Sequence, residues 1–186
     1  LRISVPKYVN DETVRNFVLS KSEWIKKHRE RILSQHWIAK KEFVSGEYHY
    51  FLGKKYILQI FETNKKSTAT LVGDTIEMYV KMNFSKERKE KLLMEFYREQ
   101  LNQIIPVYLE KWLNIMKIEL KEWNIKKMKS RWGSCIIRSK KITFNLDLAM
   151  KSERCIEYVV VHELSHFFET GHNARFKAYM DRFLPE

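Results

Sequence analysis

Glycine and proline are scarce in this chain, five and three among 186 residues. So few breakers exclude a collagen-like or loop-dominated protein. Cysteine is scarcer still. Cys135 and Cys155 make no disulfide framework, and their spacing fits no cysteine-based zinc motif. No basic-then-apolar leader opens the chain, and the longest aliphatic stretch, Val159 to Val161, is far too short to span a bilayer. Leu1 is not an initiator methionine, so further residues are expected upstream. The expectation is a reduced, cytoplasmic protein with no membrane partner.

What is present fits a folded domain. Apolar residues make up 44 % of the chain, a normal globular fraction, and the length suits one domain with its own core, 1–186. The net charge is +12. A basic surface attracts nucleic acid, anionic membranes or acidic substrates. Lysine, however, is spread along every segment. Two local clusters stand out: Lys26-Lys27-His28-Arg29 with Arg31, and Lys126-Lys127 with Lys129 and Arg131. Nucleic acid is therefore kept as a possible partner.

The pattern along the chain alternates between sheet and helix. Leu1 to Val9 reads as the tail of a strand. Asn10 is a helix cap, and Val14, Phe17, Val18, Trp24, Ile25 and Ile32 follow at helical spacing, predicting one helix to about Gln35. Residues 1–80 thus hold a helix and then a small antiparallel sheet, with turns at Leu52-Gly53 and Gly73-Asp74. Residues 85–186 form the second part. Ser85 opens a long helix whose apolar stripe is Leu93, Phe96, Tyr97, Leu101, Ile104, Tyr108, Trp112 and Met116, and Pro106 should kink or split it. A strand is expected over Lys141 to Leu146, then a helix capped by Ser152, then a short helix over Asn173 to Phe183. The order predicts an α+β fold.

The residues that carry chemistry are His162-Glu163-Leu164-Ser165-His166. Positions four apart share a helix face, so both imidazoles can reach one cation. Imidazole is a natural zinc donor, and a catalytic zinc takes three protein ligands and leaves a place for water. Glu163 stands where it can take a proton from that water and pass it to a leaving group. His172 lies six residues after His166 and directly after Gly171, where the helix is expected to end and the chain to reverse. It is the third candidate ligand, ahead of Glu169 and Asp181. His28, His36 and His49 have no ligand spacing and are expected at the surface or in packing.

Beyond the motif, four stretches are distinctive: Lys129-Ser130-Arg131-Trp132-Gly133-Ser134-Cys135, Ile142-Thr143-Phe144-Asn145, Tyr158-Val159-Val160-Val161-His162-Glu163-Leu164-Ser165-His166, and His172-Asn173 with Phe176 and Pro185. Together they resemble the YgjP-like family of metal-dependent hydrolases, zincin peptidases related to SprT-like proteins. Weaker likeness reaches Ser4-Val5-Pro6-Lys7 and Trp24-Ile25. The resemblance implies one Zn2+ per chain on His162, His166 and His172, Glu163 as catalytic base, and a zincin-like single domain with an antiparallel sheet beside the metal helix. It implies a zinc metallopeptidase acting on peptide or protein substrates. A nucleic-acid-associated protease or a non-catalytic zinc-binding domain is the alternative. Metzincins share the spacing of the third histidine but place a glycine three after the second; here that position is Glu169, so the turn must differ.

The remaining expectations concern the cleft. Trp132 is read first as a core plug and Gly133 as a bulge, with the edge of a cleft as the second reading. Cys135 is expected as a buried thiol rather than a fourth ligand, and Asn145 is a candidate for ordering the cleft. The strand near Lys141 to Asn145 is expected to offer its edge to an extended peptide, giving broad specificity.

Overall fold

Local capping signals set the helices. The computed structural model describes residues 5, 6, 8–34 and 41–185, so His36 lies outside the described residues, as does most of the strand expected before Val9. The Val9 amide donates to the Pro6 carbonyl at 3.1 Å. The chain divides into two compact units, 1–41 and 42–186.

The first unit carries α1 (Asp11–Ser20) and α2 (Ser22–Ser34) where one helix was expected. The Asn10 side chain accepts from the Thr13 amide at 2.8 Å, as the sequence implied. The break has a local cause. The Ser20 hydroxyl donates to the Phe17 carbonyl at 2.7 Å, and the Lys21 amide turns back to the Val18 carbonyl at 3.1 Å. A serine bonding its own helix backbone competes with the ladder. His28 is a surface residue, stacked on Trp24 with centroids 3.9 Å apart.

The second unit opens with a four-stranded sheet of β1 (Tyr48–Phe51), β2 (Lys54–Glu62), β3 (Thr68–Val72) and β4 (Thr75–Val80) in the order β1-β2-β4-β3. Leu52 and Gly53 both take positive φ between the paired Phe51 and Lys54, the two-residue hairpin whose twist matches the strands. Gly73-Asp74 makes the second hairpin. The α+β class is as expected, but the sheet is mixed: β2 pairs with β4 in parallel. The 63–67 connection therefore crosses the end of β4 to reach the far edge, and the Thr63 amide donates to the Val80 carbonyl at 2.8 Å to anchor it.

Ser85 caps α3 (Lys86–Met116), which runs unbroken through Pro106. Proline removes only the bond to the Asn102 carbonyl, and Asn102 is exposed, where water can replace the partner. Ile105 and Leu109 are buried on α3, while Ile104 and Tyr108 are only partly so. A second sheet holds β5 (Glu122–Lys126), β6 (Gly133–Ile136) and β7 (Lys141–Asn145) in the order β5-β7-β6, with β5 parallel and β6 antiparallel to β7. Strand β7 is therefore central, and the edge strand beside the motif helix is β6. A 3-10 turn over Leu146–Met150 leads to α4 (Glu153–Ser165), capped by Ser152, and the chain closes with α5 (Ala174–Phe183).

Helix α4 is fixed from both sides. Ile156, Val160, Val161 and Leu164 are fully buried. On α3, Trp112 Nε1 and Lys111 Nζ both donate to Glu157, at 2.9 and 2.7 Å. We expect Leu164→Ala to lower unfolding free energy by about 2–5 kcal/mol in urea titration, the cost of emptying a buried leucine site. A midpoint unchanged from the parent would show that this face of α4 does not hold the core.

Candidate metal centre and cleft

Three imidazoles converge where α4 ends. His162 lies in its last turn, His166 is its C-terminal cap, and His172 stands on the segment leading to α5. Their ring centroids form a near-equilateral triangle of 5.1, 4.9 and 4.9 Å. One nitrogen from each lies within 4.8 Å of the others, and Nε2 of His162 and of His172 are 3.0 Å apart. Two nitrogens on one tetrahedral zinc with bonds of ~2.0–2.1 Å sit about 3.3 Å apart, so this donor set fits such an ion. Buried Phe176 on α5 meets all three rings, with centroids at 4.9, 4.8 and 4.8 Å. Asn173 caps α5 by accepting from the Phe176 amide at 3.1 Å.

The electrostatics suit metal ligation. Burial, then the neighbouring histidines, push His162 down to about 4, and burial lowers His166 as well. Neutral imidazole is the ligating form. His166 Nδ1 donates to the Glu169 carbonyl at 3.2 Å, which leaves Nε2 with its lone pair. Such an outer partner fixes the tautomer and the ring plane. The Glu169 carboxylate points elsewhere, 3.7 Å from Arg175 Nε.

Gly171 behaves differently from expectation. It does not take a positive φ, and a Cβ there would meet nothing. Helix α4 has already ended at Ser165, and the reversal runs through tight turns: the amides of Phe167 and Phe168 bond the carbonyls of Leu164 and Ser165, each at 3.0 Å. The turn thus begins well before the glycine, and the chain goes on bending through Thr170 to Asn173.

Glu163 is buried, and its Oε2 has no hydrogen-bond partner. Burial pushes its carboxyl up to about 7, against the opposing pull of Arg131. Gly133 on β6 makes the room. A Cβ at Gly133 would stand 2.5 Å from Glu163 Oε1 and 2.7 Å from its Cγ. This glycine therefore serves close approach, not a bulge. No local pattern in the sequence announces that contact.

An open cleft of about 810 Å³ runs past the histidines, lined by β6 and its flanks together with Tyr158, Glu163 and Thr170. Trp132 is no core plug: it is 46 % exposed at the rim, with Lys151 Nζ 5.1 Å from its ring centre. The second reading of that stretch, as a cleft edge, is the one the structure bears out. Cys135 is partly buried, its thiol pushed up to about 11 by burial and by the charge of Glu163, and it is not among the converging metal donors. His49 is a packing residue, buried against Phe43 and 3.3 Å from Glu47. Asn145 orders the cleft. Its Nδ2 donates to the carbonyls of Met128 and Arg131 at 3.0 and 2.7 Å, its Oδ1 accepts from the amides of Met128 and Asp147, and its own amide donates to the Trp132 carbonyl at 2.9 Å.

The family model described as YgjP-like, metallopeptidase domain, matches residues 1–186, and the chain belongs to that family. No curated protein matches it. Among solved structures it is similar to the metallopeptidase zymogen abylysin of Pyrococcus abyssi, at 19 % identity over 44 % of this chain and 81 % of that one, TM-score 0.40. It is also similar to the zymogen jannalysin of Methanocaldococcus jannaschii, at 23 % identity over 44 % and 83 %, TM-score 0.40.

Gly133→Ala should fold and keep its metal yet lose peptidase kcat/KM by about 100-fold, because the new methyl displaces the carboxyl of Glu163, and misplacement of about 1 Å costs that much. Gly171→Ala should be silent in the same assay. Full activity in Gly133→Ala would refute the tight fit.

Proposed function

From its membership of a metallopeptidase family, we propose that this chain is a zinc-dependent peptidase whose metal is held by His162, His166 and His172, one ion per chain, with Glu163 as the catalytic base. The observation that carries the reading is the buried carboxylate beside three converged imidazoles. A structural metal site has no use for an unpartnered base at its edge, which sets aside the non-catalytic alternative. Zinc bound there supplies a Lewis acid that polarises the scissile carbonyl and makes a water acidic enough to attack near neutral pH.

The chain's own residues supply the rest. Glu163, poised near neutrality, takes the proton of the attacking water and returns it to the departing amine. Gly133 and Asn145 hold that carboxyl and the loop facing it. The free edge of β6, rather than that of β7, is the strand along which an extended peptide pairs by backbone hydrogen bonds, which gives affinity with little sequence demand. Residues 42–186 contain every group the reaction needs, and we take 1–186 to work as one domain because the family match has that extent. Both cysteines are free, in keeping with a reducing, cytoplasmic setting. Among the described residues no helix is long and apolar enough to cross a membrane.

Glu163→Gln should retain zinc and lose hydrolysis, since it removes a base and no ligand. His172→Ala should weaken zinc binding by well over ~10-fold, while Glu169→Ala, which keeps the carbonyl that orients His166, should leave it nearly unchanged. Chelator competition reads both. Loss of metal in Glu163→Gln, or in Glu169→Ala alone, would overturn the assignment.

Charge in the cleft adds a bias. Arg131 and Arg138 line it, and among the described residues Glu163 is the sole lining carboxylate. Peptides with Asp or Glu beside the scissile bond should be cleaved about 5-fold faster than their Lys counterparts, the scale of one partly screened ion pair. Arg138→Glu should reverse the order in a paired-substrate assay. A preference for lysine in the parent chain would contradict this.

A further inference from the structure

The histidine cleft carries more apolar surface than a metal centre requires. Besides Trp132 at the rim, Ile136, Ile137 and Tyr158 line it while standing open to water, Ile136 at 53 % exposure and Tyr158 at 51 %. Val159, buried, adds to the same lining. Apolar groups left in water forgo the stabilisation that burial supplies. Scattered singly over a surface they are ordinary, but gathered in a concavity they mark a place where something binds.

The fold goes out of its way to put two isoleucines there. Successive residues of a strand face opposite sides of its sheet, so a longer β6 would point Ile136 and Ile137 apart. Both line the cleft because β6 ends at Ile136 and a 3-10 turn, Ile137–Ser139, begins there. Lys140 closes that turn in the left-handed region, its amide donating to the Ile137 carbonyl at 3.0 Å. The Ser139 hydroxyl donates to the Ile136 carbonyl at 3.4 Å. Tyr158 comes from α4, one turn before His162 and on the same helix face, with the two ring centres 6.1 Å apart. Apolar wall and imidazoles therefore belong to one surface.

Distance along β6 relates that wall to the chemistry. Gly133 lies against Glu163, and at ~3.3 Å per residue Ile136 stands about 10 Å further along the strand. An extended peptide has the same rise. A substrate lying along β6 with its scissile bond beside Glu163 therefore brings a side chain about three residues away to Ile136 and Ile137. We infer that the cleft selects an aliphatic or aromatic side chain at that distance from the scissile bond, with Ile136, Ile137 and Tyr158 as the selecting residues. The inference rests on the peptidase reading above. Side chains of this kind are mostly inside folded proteins, so the substrate class it implies is unfolded chain rather than polar surface loops.

The test uses the zinc-loaded full chain and a set of fluorogenic alanine-rich peptides in which one leucine or phenylalanine is stepped past the scissile bond, cleavage being mapped by mass spectrometry. At one position about three residues from the bond, on one side of it, the large side chain should raise kcat/KM about 10-fold over alanine, what burying roughly half of a leucine supplies. Ile136→Ser/Ile137→Ser should bring that ratio close to unity. Tyr158→Ser should lower it and Tyr158→Phe should keep it, since the ring and not the hydroxyl makes the contact. Val107→Ser/Ile115→Ser, which removes two exposed apolar side chains of α3 outside the cleft, should leave the ratio as it is. Anisotropy of the same peptides on Glu163→Gln, which turns none of them over, should rank them in the same order. If the parent chain cleaves no peptide, the peptidase reading fails and the binding series still decides the wall. Equal affinity for leucine and alanine peptides overturns the inference. So does a preference that survives Ile136→Ser/Ile137→Ser, or one lost equally in the α3 control.

Discussion

The close approach of β6 to α4 governs what this chain can do, because a carboxylate has to be kept out of water there without a formal partner. Taking a charged group from water into a protein interior is costly unless it is paired. Glu163 accepts that penalty: it is buried, one oxygen is unbonded, and Arg131 only moderates the result. The strand can come so near because position 133 has no side chain. Any side chain there would run into the Glu163 side chain and displace its carboxyl. Stability is therefore given up at the place of the proposed base, and recovered in the packing of α4 against α3, where Glu157 ties the helices through Trp112 and Lys111.

The histidines are held by a different device. His162 is rigid because α4 is, whereas His172 lies beyond the helix and needs its own support. Phe176 provides it by meeting all three rings at nearly equal distance, and the Asn173 cap fixes where α5 and its Phe176 begin. His166 is oriented by a backbone carbonyl, that of Glu169. A carbonyl is supplied by any residue, so the side chain at 169 is left to make an ion pair with Arg175.

What could be read from the sequence was whatever depends on near neighbours along the chain. Asn10, Ser85 and Ser152 were recognisable as caps because a cap bonds an amide three residues on, and Leu52-Gly53 and Gly73-Asp74 because hairpin turns have local chemistry. The placing of two histidines and a glutamate on one helix follows from periodicity alone. Features set by contacts between distant segments were out of reach. The parallel pairing of β2 with β4, the exposure of Trp132 at a rim and the contact of Gly133 with Glu163 join residues that no period connects. Gly171 misled for the opposite reason: a glycine after a helix has a common local meaning, yet the turn already begins in the hydrogen bonds of Phe167 and Phe168, and the glycine keeps a negative φ.

One physical cause, desolvation, acts on the titrating groups of α4 in opposite senses. Burial disfavours whichever form is charged. For His162 that form is the protonated one, so the ring stays neutral down to about pH 4 and offers a lone pair throughout the physiological range. For Glu163 it is the deprotonated one, so the carboxyl rises to about 7 and its conjugate base is strong enough to take a proton from an acidified water. A polar, hydrated version of the same four side chains would leave the histidines partly protonated and the glutamate a feeble base near pH 4. Dry packing of β6 and Phe176 against the end of α4 thus prepares the proposed ligands and the proposed base together. An opening of that contact is therefore expected to cost both functions at once, whereas a change confined to the carboxyl, as at Gly133, separates them.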